Sequence, residues 1–133
     1  MAANDGRTLV FPLPWSAHFS PHYKTHWTQR AQADRETRRA ACAALRRIAP
    51  LLTVPPGHVC DVEFVFIPPN GRAVSKERMA AHMEATRQGF ADCMGCNVWH
   101  FEQRHRVASV PTPGGEVLVK LRIAPVKGLR GNS

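Results

Sequence analysis

Hydrophobic positions along this chain recur with two different periods, and those periods divide it into strands and helices. Residues 8–13 (TLVFPL) are a short apolar run checked by Pro12 and Pro14, which predicts a first strand. Residues 15–24 mix Ser, His, Pro and aromatic side chains and predict an ordered loop. From about Thr25 to Ala49, Trp27, Ala31, Ala41, Leu45 and Ile48 fall at helical spacing until Pro50 stops the run. Pro55, Pro56 and Gly57 make a turn. Val59–Ile67 then alternates cleanly: Cys60, Val62, Phe64 and Phe66 share one face, with Asp61, Glu63, Val65 and Ile67 on the other.

The sequence PPNG at 68–71 ends that strand. Ser75 is a suitable N-cap for a second helix running to Met94. Met79, Met83, Phe90 and Met94 lie in one stripe of that helix, which predicts core packing. At 100° per residue, Glu77, Glu84, Gln88 and Asp92 project from the opposite side within about 80° of one another. Trp99–Ala108 and Glu116–Ile123 are the last two strands, and the Gly114-Gly115 pair between them predicts a hairpin. The order β–α–β–α–β–β predicts an α+β fold, a small mixed sheet with two main helices packed on one face. It spans a single domain over residues 1–126, followed by a flexible basic tail at 127–133.

At 133 residues and 44% hydrophobic, the chain suffices for one domain with a real core. No apolar run approaches the roughly 20 residues that span a bilayer. The opening MAANDGRTLVF lacks the layout of a signal peptide, so a cytoplasmic protein is expected, with Cys42, Cys60, Cys93 and Cys96 as reduced thiols. Charge sharpens the picture: 18 Lys and Arg against 10 Asp and Glu leave a net +8. An excess of this size, mostly arginine, favours a polyanion through counterion release and bidentate phosphate contacts. No helix pairs its cations with the bulky apolar face that a membrane surface needs.

Three constellations carry candidate chemistry. Lys24, just before the first helix, and Arg30, Arg35, Arg38 and Arg39 within it would contact phosphates, or the arginines form a solvated face partly neutralised by Asp34 and Glu36. His18, His22 and His26, around Tyr23 and Trp27, form a loop able to pack on the sheet, stack against bases or hold a metal. Cys93, Cys96, His100 and His105 have the spacing C-x2-C-x3-H-x4-H, four ligands of the types zinc accepts, although the two histidines fall on a strand and the pairs are closely spaced. The alternative for this set is a partly buried helix end.

The segments LPWSAHFSPHYKTHWTQR at 13–30, VEFVFIPPNGR at 62–72, RQGFADCMGCNVW at 87–99 and VPTPGGEVLVKLRI at 110–123 occur in the order of a known family. Together they make the chain resemble the RusA-like Holliday-junction resolvases, small phage-borne endonucleases. The resemblance covers most of the chain and implies an α+β fold, a homodimer, a branched-DNA substrate and Mg-dependent cleavage. It also implies where the metal-binding aspartates belong, and this sequence departs from the family there. With Gly89, Asp92 and Gly95 as anchors, Gln88 replaces one aspartate and Asn97-Val98 an aspartate pair. The family's Asp-x-Asp-Asn motif falls on residues 78–81 (RMAA) or, anchored on Pro69 and Asn70, on residues 75–78 (SKER).

The expected function is therefore recognition of branched or structured DNA without efficient cleavage. Arg72, Lys76 and Arg78 would flank the degenerate centre, with Arg104 and Arg106 extending the same basic face. Glu77 and Glu84 are the residual acids for any catalysis. Two alternatives stand beside this reading: an active Mg-dependent endonuclease with ligands relocated to Asp61, Glu63, Glu77 and Glu84, and a phage-encoded inhibitor that reuses the scaffold to bind a protein partner.

Overall fold

The strand with the cleanest alternation lies in the interior of the sheet. The computed structural model describes residues 8–16, 19, 27–71 and 75–126. Their elements are β1 (Leu9–Pro14), α1 (Trp27–Ile48), β2 (His58–Ile67), α2 (Lys76–His82), α3 (Glu84–Met94), a 3-10 turn (Val98–His100), β3 (Phe101–Val107) and β4 (Glu116–Pro125). The four strands form one sheet in the order β1-β4-β2-β3. β4 runs antiparallel to both β1 and β2, whereas β2 and β3 are parallel. The fold is α+β with a small mixed sheet, as its pattern predicts.

Cys60, Val62, Phe64 and Phe66 of β2 have no solvent exposure, and neither do Val119 and Leu121 of β4 beside them. Onto this face pack Ala41 and Leu45 of α1, Met79 of α2, and Phe90, Ala91 and Met94 of α3. The methionine stripe is core, as expected. Full burial of such side chains stabilises the fold by about 1.5–3 kcal/mol each.

Three expectations are corrected. The 75–94 segment is two helices, not one. At Met83 (φ −83°, ψ −1°) the backbone N–H bonds to the Ala80 carbonyl, and the helix restarts at Glu84. This tight turn lets Met79 and Met83 reach the core while α3 aligns along α1. Gly114 and Gly115 do not join a hairpin: β4 crosses the end of β2 and inserts between β1 and β2. Ala108 N–H to Phe66 O and Thr112 N–H to Pro68 O, both 2.9 Å, hold that crossing. Gly115 (φ 71°) is needed for space as well, since a Cβ there would meet the Trp15 ring at 2.7 Å. Finally, Ile48 is 45% exposed, because Ala33, Thr37, Ala41 and Leu45 form the inward stripe of α1.

Candidate nucleic-acid interface

α1 carries its arginines in two directions. Arg35, Arg39 and Arg46 are spaced i, i+4, i+11, which places them on one outward flank of the helix. With Arg38 they line a shallow groove of about 380 Å³, in which Asp92 of α3 is the only acid among the described residues. Arg38 grips Asp92 through two bonds, Nε to Oδ2 at 2.5 Å and Nη2 to Oδ1 at 2.8 Å. The guanidinium holds the Asp92 carboxyl below the usual carboxylate range. Arg38 Nη1 also donates to Gln88 Oε1 at 3.3 Å.

Arg30 points elsewhere. It lines a second groove of about 500 Å³ between α1 and the α2–α3 junction, together with Asp34, Arg78, His82, Glu84 and Gln88. The fold thus brings Arg30 and Arg78 together, and separately Arg35, Arg38 and Arg39. Lys76 stands exposed at the start of α2, where Ser75 caps the helix by accepting from Arg78 N–H at 3.2 Å. Lys24 and Arg72 lie outside the described residues, as do His18, His22, His26 and Tyr23.

Arg104 and Arg106 do not extend this face. In β3 they project from the side of the sheet opposite the helices, because strand residues alternate and Phe101, Gln103 and His105 take the inner side. There Arg104 donates to Asp61 at 3.0 Å, Arg122 stands 3.7 Å from Asp61, and Arg106 stands 3.6 Å from Glu63. These ion pairs link β2 to β3 and β4 across the open sheet face.

The same geometry separates the acids. Asp61 and Glu63 are on the open face, whereas Glu77 and Glu84 are in the helix layer. Glu84 is bound to Arg87 and accepts from Gln88 Nε2 at 3.4 Å, so it serves the α3 surface. Glu77 is on α2 and no longer shares a helix face with Glu84. A catalytic pair of divalent metals needs several oxygen ligands converging on one point. Among the described residues no three His, Cys, Asp or Glu side chains converge in that way. The relocated set does not assemble.

Nor do Cys93, Cys96, His100 and His105 converge. The left-handed Gly95 (φ 67°) caps α3 and redirects the chain, so the two cysteines diverge. The Cys93 thiol lies near Cys42 on α1, while Cys96 sits near Cys60 of β2. Burial pushes the thiols of Cys60, Cys93 and Cys96 up from the usual cysteine range. His100 Nδ1 lies 3.3 Å from the Asn97 carbonyl oxygen. His105 stacks on Phe64 and Phe66, and its Nε2 lies 2.7 Å from Gln103 Nε2. Burial first, then the charges of Lys76 and Arg87, push its pKa down.

No family model matches the chain. It is 28% identical over 111 residues to an uncharacterized protein of Xylella fastidiosa (strain Temecula1), an alignment covering 82% of this chain and 72% of that protein.

Arg46 was missed in reading the arginines as a run confined to the helix's first half. The signal was present, since eleven residues return a helix to within about 20° of its starting direction, so Arg46 falls beside Arg35. Among the described residues, no helix is long and apolar enough to cross a membrane.

Proposed function

We propose that this protein binds branched or otherwise structured DNA in the cytoplasm, through the arginine flank of α1, and does not cleave it efficiently. The observation that carries the reading is the groove of Arg35, Arg38, Arg39 and Arg46, with Asp92 as its single acid among the described residues. Arginines on one helix flank can contact phosphates and bind a nucleic-acid backbone largely without regard to sequence. The branched substrate and a homodimeric state follow from the family resemblance, since a two-fold dimer matches a two-fold junction. Among the described residues no three His, Cys, Asp or Glu side chains converge on one point.

The test is fluorescence anisotropy on a four-way junction, a matched duplex and a single strand at about 150 mM salt, followed by a gel of each sample after adding Mg or Mn. Tighter binding to the junction with intact strands is expected. Metal-dependent cutting would overturn the non-cleaving half of the reading. No binding to any of the three would overturn the DNA half and leave a protein partner as the reading to pursue.

A further inference from the structure

The CxxC motif sends its first thiol across the α1–α3 interface. The two helices touch backbone to backbone at Gly89, where an added Cβ would fall 2.2 Å from the Arg38 carbonyl oxygen. One helical turn onward from these two residues are Cys42 and Cys93, and i, i+4 positions share a helix face. The Arg38–Asp92 pair clamps the same interface beside them. The two thiols therefore lie near each other across the interface, close enough to interact electrostatically. Both are half-buried, and Cys42 lines the open arginine groove, whereas Cys60 is fully enclosed. Arg46 Nη2 stands 3.3 Å from Cys42 Sγ, where it meets negative charge developing on that sulfur.

We propose that Cys42 and Cys93 are an oxidation site for hydroperoxides, forming a reversible disulfide that staples the arginine helix to α3. Cys42 gives up its proton and its sulfur attacks one peroxide oxygen. The S–O bond forms, the O–O bond breaks, and water or an alcohol leaves with the proton. Cys93 sulfur then attacks the resulting sulfenic acid; the S–S bond forms, and water departs carrying the Cys93 proton. Two thiols lose two electrons and the hydroperoxide gains them. A dithiol reverses the reaction by exchange. The second thiol of the motif, Cys96, lies near Cys60 and takes no part. This inference stands independently of DNA binding.

The experiment treats the folded full-length chain with hydrogen peroxide and reads intact mass, then maps proteolytic fragments. The expected product is lighter by two hydrogen atoms, with fragments containing Cys42 and Cys93 joined. Cys93→Ser is expected to stop at a sulfenic acid on Cys42, captured by a 1,3-dione reagent. Oxidised protein should melt several degrees above reduced protein, and neither Cys42→Ser nor Cys42→Ala should gain that increment. A link between Cys93 and Cys96, a link between two chains, or a Cys42–Cys93 link that forms only in denaturant would each overturn the proposal.

Discussion

Gly89 of α3 lies so close to Arg38 of α1 that a Cβ on it would stand 2.2 Å from the Arg38 carbonyl oxygen and 2.8 Å from Ala41 Cβ. Its neighbour is backbone, which cannot swing aside. Gly89→Ala must push the two helices apart, even though alanine is the better helix former. We expect a loss of about 2 kcal/mol, seen as a drop of roughly 6–10 °C in Tm. An unchanged or raised Tm would show that the helices are not in contact there.

The arginine flank makes separable predictions for binding. Arg39→Ala and Arg46→Ala should each weaken affinity for every DNA form and reduce the slope of log K against log salt by about 1. Arg104→Ala should leave both quantities unchanged, because Arg104 is on the opposite sheet face and paired with Asp61. Salt titrations of the three variants check this directly. Equal losses in all three would mean that binding follows net charge alone.

Asp92 is the one negative charge among the described residues of the groove, so Asp92→Asn should tighten DNA binding. It should also change acid stability. The folded carboxyl titrates below its ordinary value because Arg38 binds it. Its contribution is therefore present above the unfolded carboxylate pKa of about 3.9 and lost as pH falls through the lower folded value. Urea midpoints measured from neutral pH into acid should fall less steeply in Asp92→Asn than in the native chain.

His105 has the opposite protonation logic. Stacked between Phe64 and Phe66 and facing Lys76 and Arg87, it favours the neutral ring. The unfolded chain takes up a proton first, near pH 6.5, so stability falls as pH drops below that value, until the folded ring protonates in turn. His105→Gln keeps a polar group toward Gln103 but cannot titrate in this range. Its stability should be flat across the interval in which the native protein weakens.

Strand β2 was legible because its alternation is strict, and the methionine stripe because period-3.6 burial leaves a clear signature. The hairpin misreading has an equally physical cause. Gly114 and Gly115 report a tight turn but not which strand β4 will join, and pairing two neighbours at once in the middle of the sheet buries both flanks of β4. The break at Met83 left no mark because no Gly or Pro is needed for its φ and ψ. The dispersal of Cys93 and Cys96 depends on Gly95, whose left-handed cap follows from a helix end that spacing alone does not locate.

The sequence by itself determined the layer composition, the core residues of β2 and β4, and the excess of arginine on one helix, since each is a periodicity that local geometry turns into a face. Tertiary structure alone decided which charges stand free. Asp61 and Glu63 neutralise Arg104 and Arg106, Asp92 takes Arg38, and Arg35, Arg39 and Arg46 are left beside it without an ion pair among the described residues. Periodicity assigns a residue to a face of its own element, but charges pair across elements, and strand order with helix alignment sets those distances.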